Sequence, residues 1–209
     1  DDTVSYNKGK VLDYEALEKI DTFGRYLDSD NDGICYRTYP GTHPEKGAYF
    51  TRGTSHDEYA RYTEDGNINA QTLTRLMRKF RTATDLVPEP IIEINGEDSC
   101  GVIYYGSSKP AVLEAKDILK TKNINLDLMQ IRSFPFNLDV WEFIANHDRI
   151  YVVEQNRDSQ MRTLIMAEGG ISAEILRPLV HFTGDPIEAS YIVNKISERE
   201  VNYKSHKNI

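Results

Sequence analysis

The second half of this sequence predicts an α/β fold: a doubly wound, mainly parallel sheet, preceded by a Gly/Tyr-rich segment that ends in a helix. Three observations predict it. From residue 91 onward, short apolar runs alternate with segments of helical period. The runs are rich in Ile, Val and Tyr, as buried strands are. The stretches between them carry the caps and first-turn prolines that open helices. Strands that alternate with helices imply right-handed crossovers and helices on both faces of the sheet.

The first part of the chain reads differently. Residues 28–66 contain a single aliphatic side chain larger than Ala, Ile34. Glycines and two prolines punctuate the stretch, and eight of the thirteen tyrosines fall within residues 1–88. So little aliphatic surface cannot offset the entropy of ordering the chain. Disordered segments are usually poor in aromatics, so the region reads as an interface-seeking loop that leans on other parts of a larger molecule. The helix "NAQTLTRLMRKFRTATDLVP" follows. Leu73, Leu76, Met77, Phe80 and Ala83 recur at helical spacing, Asn67 or Asn69 can cap it, and Pro88 closes it. Arg75, Arg78, Lys79 and Arg81 form the opposite face, which reads as solvated.

After Pro90 each element can be assigned. "GVIYYGSS" (101–108) is a buried strand. "KPAVLEAKDILKTK" is a helix with Ser108 as N-cap and Pro110 in its first turn. "LDLMQIRSF" is the second strand, "DVWEFIANH" a short helix, "RIYVVEQN" the third strand and "DSQMRTLIMAE" a helix. "EILRPLVHF" is a fourth strand, bent or broken at Pro178. "GDPIEASYIVNKISER" opens with Asp185 as cap, Pro186 at the first position and Glu188 at the third. Residues 91–198 thus make one small domain with its own core. Residues 199–209 read as a polar, frayed tail.

Composition narrows the function. The chain has 209 residues and a formal net charge of −8. Such an acidic balance argues against a nucleic-acid partner, because phosphates need a basic face. No apolar run reaches the length of a bilayer span, so no membrane partner is expected. Two isolated cysteines, Cys35 and Cys100, suit a reducing cytoplasm, with one disulfide between them as the alternative, and fall short of the roughly four thiolates an iron–sulfur cluster takes. The opening "DDTVSYNKGK" has no Met and reads as a piece of a longer polypeptide.

Several constellations could carry chemistry. Gly106, Ser107 and Ser108 end a strand and open a helix, where free backbone N–H groups can hold an anion; a plain turn with a cap explains the same residues. Asp28, Asp30 and Asp32 in "DSDNDG" start like a calcium loop, but the twelfth position is Tyr39 where a Glu is needed. An Asp/Asn/Gly turn competes with the metal reading. His56 is flanked by Asp57 and Glu58, while Arg37 and Arg52 sit among glycines and hydroxyls. These three are candidates for reaching a substrate or a partner surface. "VVEQNRDSQMR" puts five polar or charged residues past a strand's carboxyl end, where ligands bind open α/β sheets. No self-contained active site emerges. A free-standing ligand-binding domain and a metal-stabilised interaction module both stay open.

The stretch "RYLDSDNDGICYRTYPGTHPEKGAYFTRGTSHDEYARYTED", followed in order by "LMRKFRTA", "YYGSS", "IRSFPF" and "VVEQNRDSQMR", resembles the alpha subunit of thiamine-diphosphate-dependent 2-oxoacid:ferredoxin oxidoreductases, in particular the 2-oxoglutarate type. The resemblance runs from about residue 8 to the last helix. It implies that residues 1–88 are the end of a pyrimidine-binding domain with its connecting segment. It implies that residues 91–198 are similar to the transketolase C-terminal domain. It further implies a parent complex that converts a 2-oxoacid and coenzyme A to acyl-CoA, CO2 and reduced ferredoxin. Thiamine diphosphate, Mg2+ and an iron–sulfur cluster would belong to that complex, with none in this chain. The upstream part of the alpha subunit, a beta subunit, ferredoxin and coenzyme A would be its partners. The chain itself would then serve assembly and carry no catalytic residue of its own.

Overall fold

The computed structural model describes residues 7–96 and 100–207. The chain divides into two compact units, residues 1–86 and 87–209.

Unit 1 is built with little apolar core. Among the described residues, Leu17 and Ala60 are its buried hydrophobic side chains, joined by buried Thr38 and His43. Helix α1 (Tyr14–Glu18) starts where Asp13 accepts the Ala16 N–H. The long loop that follows is held by polar contacts. His43 receives the Glu45 and Lys46 N–H groups on Nδ1 and meets Glu18 through Nε2 at 2.7 Å. Helix α2 (Gly66–Ala83) is capped by Asp65, whose carboxylate accepts the Asn67 N–H, rather than by Asn67 or Asn69. An aspartate ahead of the first turn also favours the positive end of the helix dipole.

Helix α2 departs from the expected orientation in part: Lys79 and Arg81 are exposed as expected, while Arg75 and Arg78 are engaged. These two pack onto the 28–35 loop: Arg78 pairs with Asp28 at 2.6 Å and Arg75 donates to the Gly33 carbonyl, and the Thr82 hydroxyl donates to the Asp32 carbonyl. The apolar side of α2, with Leu73, Leu76 and Met77, is exposed. Gly33 makes the close approach possible: at φ +81°, a Cβ there would lie 2.2 Å from the Lys79 nitrogen.

Unit 2 is a five-stranded sheet in the order β1-β3-β2-β4-β5. The strands are β1 (Ile91–Glu93), β2 (Cys100–Tyr104), β3 (Leu126–Gln130), β4 (Ile150–Glu154) and β5 (Leu176–Val180). All neighbours are parallel except β1, which runs antiparallel to β3 with Ile91 opposite Gln130. The helices are α3 (Lys109–Thr121), α4 (Leu138–Ala145), α5 (Gln160–Gly169) and α6 (Ala189–Lys207). Alternation along the strands sends side chains to two cores. Val102, Leu128, Tyr151 and Val153 face Val112, Leu119, Ile192 and Ile196 of α3 and α6. Ile103, Met129, Ile150 and Val152 face Val140, Phe143 and Ile144 of α4 and Ile165 of α5. The predicted α/β class with helices on both faces is therefore observed.

Three local expectations are corrected. Pro178 does not break β5, which pairs through it, Pro178 lying opposite Val152. It is tolerated because β5 is an edge strand: the Ile175 carbonyl and His181 N–H bond β4, while the carbonyls of Leu176, Pro178 and Val180 accept from Arg162, Arg199 and Tyr191 side chains. Helix α6 starts at Ala189, four residues past Asp185, because Ile187 is drawn into the core and its N–H reaches the Gln155 side chain. The tail expected from residue 199 continues as helix to Lys207. Glu200, buried, shares the single Arg149 Nε–H between its two carboxylate oxygens and accepts from the Tyr151 hydroxyl. Tyr203 donates to Asp148.

Candidate functional site

In unit 2 the loops after β2 and β4 lie side by side, because the chain leaves these neighbouring strands toward opposite faces. That is the switch point at which open α/β sheets take ligands. Here the chain's own side chains occupy it. Gly106 turns at φ +57°, and residues 106–108 form a short 3-10 turn ahead of α3. The Ser107 and Ser108 hydroxyls accept from the Gln155 amide at 2.9 and 3.2 Å. Ser108 stands at the N-cap position of α3 but makes no capping hydrogen bond. The hydroxyls of the Gly106–Ser108 turn are thus engaged by Gln155.

Glu154 ends β4 fully buried. Its carboxylate accepts the Met161 and Arg162 N–H groups at 2.8 and 3.0 Å, at the N-terminus of α5, and the Asn156 amide at 2.7 Å. Ser159, at the N-cap position, is left-handed and gives no side-chain cap. A carboxylate from the strand therefore does the capping and meets the positive end of the helix. Of the five polar residues in "VVEQNRDSQMR", Glu154, Gln155 and Asn156 serve this framework. Arg157 and Asp158 stay exposed and pair with each other.

In unit 1, Arg37 and His56 each lie against an aromatic ring. His56 stacks on Tyr26 with ring centroids 3.9 Å apart, and its Nδ1 faces the Asp57 carbonyl. The Asp57 carboxylate caps its own turn, accepting from the Tyr59 and Arg61 N–H groups, so it does not orient the imidazole. Arg25 lies over the rings of Tyr26 and Tyr49 at 5.3 and 5.6 Å. Arg37 donates to the Lys8 carbonyl at 2.6 Å and lies over Tyr39. Arg52 is exposed. The structure thus links Arg37 and His56 through Tyr26, which lines a cavity with Arg37 and stacks on His56; Arg52 stands outside that cavity. Sequence reasoning missed Arg25 and Tyr26, whose one signal is an Arg-Tyr step at the edge of an aliphatic-poor stretch.

The metal expectation meets a different arrangement. Asp28 pairs with Arg78, while Asp30 and Asp32 both bond Lys10, at 2.6 and 2.7 Å. Their hydrogen bonds from Lys10 hold both carboxyls below the usual range and raise the Lys10 ammonium. Among the described residues no group of three or more His, Cys, Asp or Glu is placed to hold a metal ion. Repulsion within the triplet is relieved by protein cations. The two thiols do not fit a cluster either: Cys35 lies in unit 1 half-buried, and Cys100 is buried at the start of β2.

No protein-family profile matches the chain. It is 27% identical over 204 residues to subunit alpha of 2-oxoacid:ferredoxin oxidoreductase 2 from Aeropyrum pernix, a match covering 93% of this chain and 30% of that protein. It is 28% identical over 175 residues to the 2-oxoacid:ferredoxin oxidoreductase subunit alpha of Saccharolobus solfataricus, covering 81% of this chain and 26% of that one. The fold matches a solved 2-oxoglutarate:ferredoxin oxidoreductase from Magnetococcus marinus, which has 2-oxoglutarate, coenzyme A and succinyl-CoA bound. The TM-score is 0.73 at 23% identity, over 85% of this chain and 30% of that chain. The chain therefore spans less than a third of the length of these relatives. Among the described residues no helix is long and apolar enough to cross a membrane.

Proposed function

We propose that this chain is part of the alpha subunit of a 2-oxoacid:ferredoxin oxidoreductase, with 2-oxoglutarate as the substrate, and that it serves assembly rather than chemistry. The observation that carries this reading is collinear similarity to two alpha subunits, 93% of the chain being matched in one of them. In the proposed complex a 2-oxoacid loses CO2, the remaining acyl group joins the sulfur of coenzyme A, and the electron pair leaves on ferredoxin. Thiamine diphosphate, Mg2+ and an iron–sulfur cluster would supply that chemistry. The residues of this chain do not fit them: its carboxylate triplet is bound to Lys10 and Arg78, and it has two separate thiols. These groups belong to other parts of the complex, in the reading proposed here, and the beta subunit, ferredoxin and coenzyme A are partners of the whole in a cytoplasmic setting.

The outward apolar stripe of α2 supports an assembly role. Leu73, Leu76 and Met77 are exposed on a helix whose polar side is the one packed. We assign their cover to the remainder of the same alpha subunit. The aromatic segment 47–65, with Phe50 80% exposed, belongs to the same kind of surface.

The test is reduction of a viologen dye that depends on 2-oxoglutarate and coenzyme A. It compares this chain alone with the full-length alpha subunit co-expressed with the product of the neighbouring gene. Activity in the complex alone is expected, and a panel of 2-oxoacids then ranks the substrates. Silence in both states overturns the reading. Within the active complex, Arg52→Lys and His56→Ala are expected to lower turnover or subunit affinity. If neither quantity moves, Arg52 and His56 have no part in substrate or partner contact.

A further inference from the structure

Charge is distributed unevenly in unit 1. The chain has 33 acidic and 25 basic residues. Yet one cavity of about 450 Å3 is walled by Lys8, Lys10, Arg25, Arg37, Arg75 and Lys79, with no Asp or Glu among the described residues of its lining. Lys10 is neutralised by Asp30 and Asp32. The other five cations form no ion pair with a described carboxylate. Arg25, Arg37 and Arg75 are half-buried, and what they contact is uncharged. Arg25 uses the faces of Tyr26 and Tyr49, Arg37 the Lys8 carbonyl, and Arg75 the Gly33 carbonyl.

Each of those contacts orients a guanidinium without cancelling its charge. A guanidinium has five N–H donors in a fork suited to carboxylate or phosphate. One carbonyl or one ring face leaves most of them unspent. Like charges drawn into one partly desolvated hollow repel one another, and an anion in the hollow reverses the sign of that energy. The cavity volume falls within the range of small-molecule sites, roughly 300–1,000 Å3. We propose that this cleft binds a small, phosphate-bearing anion of high charge. Five cations without carboxylate partners favour a diphosphate-type group over a dicarboxylate, which carries less charge. The inference goes beyond the proposed enzymatic role: it is argued from the charges of unit 1, and Leu76, which also lines the cavity, puts it beside the stripe assigned above to an assembly contact.

Cys35 lines the same cavity and gives a local reporter. Burial raises its thiol, opposed by the charge of Arg75, reinforced by the Asp28 carboxylate that Arg78 pairs, and opposed again by Arg25 and Lys79. Burial pushes the Cys100 thiol up to about 12, so it stays silent in the folded protein. The experiment titrates the complete chain with inorganic pyrophosphate at constant ionic strength. Alkylation of Cys35 by neutral iodoacetamide is followed by peptide mass spectrometry, with calorimetry in parallel. Saturable protection of Cys35, at least about tenfold, is expected. Arg25→Gln and Lys79→Gln are each expected to weaken binding about tenfold, the scale of one charge-assisted hydrogen bond. Arg25→Lys should recover part of the loss, and Lys120→Gln, on α3 of the other unit, should change nothing. Circular dichroism confirms that each variant is folded. Succinate at matched ionic strength is the second arm. If it protects as well as pyrophosphate, the phosphate assignment is overturned. If neither anion gives saturable protection into the millimolar range, the site itself is overturned. Loss of enzymatic activity enters neither readout, so failure here is distinct from failure of the proposed function.

Discussion

Glu154 shows how much work one side chain can do out of sight of the sequence. In "VVEQNRDSQMR" it reads as one of five polar residues on a ligand-facing edge. Its partners are the N–H groups of Met161 and Arg162, seven and eight residues away. No periodicity encodes that contact, because it depends on how a loop closes between strand and helix. Glu154→Gln should cost about 1.5–3 kcal/mol, the range for hydrogen bonds to a charged group, read as a lower urea midpoint at unchanged slope. An unchanged midpoint would mean that the amide caps α5 equally well. A second residue-scale consequence concerns pH. Burial pushes the Cys100 thiol up to about 12, and burial with the Glu200 carboxylate raises the Tyr151 phenol. Above the ordinary thiol range, about 8.5, the unfolded chain releases a proton that the folded chain keeps. The stabilisation is therefore complete below that range and is lost as pH rises toward 12. The melting temperature should fall across this alkaline window, and less steeply in Cys100→Ala; identical slopes would assign the fall to other groups. Legibility at this scale followed chain distance. The Gly106–Ser108 turn was visible as a unit, whereas the Gln155 bridge to it, from 47 and 48 residues away, was not.

At the scale of elements, periodicity found every helix of unit 2 and all four parallel strands. It missed α1 and the three-residue β1, both shorter than a periodic pattern needs. Helix α2 lies where the periodicity places it, but with Arg75 and Arg78 engaged and the apolar stripe exposed. An apolar stripe ordinarily faces the nearest core, and unit 1 offers almost none to face. The 28–35 loop instead supplies Asp28 and carbonyl oxygens, and the arginine side turns to them. This packing rests on Gly33. Gly33→Ala places a methyl against the Lys79 backbone, with strain from the left-handed φ added. It should expose the loop to limited proteolysis at protease levels that leave the parent chain intact. Equal cleavage rates would show that loop and helix are not coupled through this contact. The start of α6 was misplaced for a related reason: cap-like residues at 185–188 are overruled when burying Ile187 needs the chain extended there.

For the molecule as a whole, the two units differ in what holds them. Unit 2 has two apolar clusters, one on each face of a sheet. Unit 1 rests on ion pairs, turn hydrogen bonds and stacked rings, and exposed ion pairs contribute only about 0–1 kcal/mol each. Hydrogen exchange should show residues 7–86 opening well before the strands of unit 2, and urea should unfold the chain in two steps. A single step with uniform protection would show that the units are stabilised together. The sequence made this contrast legible, since the aliphatic-poor stretch 28–66 announced a region without a core. It did not announce that the region would be ordered by arginine–tyrosine stacking.

The edge strand β5 carries one more consequence. Its outward carbonyls at Leu176, Pro178 and Val180 are taken by Arg162, Arg199 and Tyr191, and proline leaves no amide hydrogen at the middle of that edge. An open sheet edge is a template on which another chain can add a strand and begin a fibril. This one offers an incoming strand neither donor nor free acceptor at its centre. A strand arriving at β5 therefore finds no pairing group at the middle of that edge, and the sheet stops growing on that side.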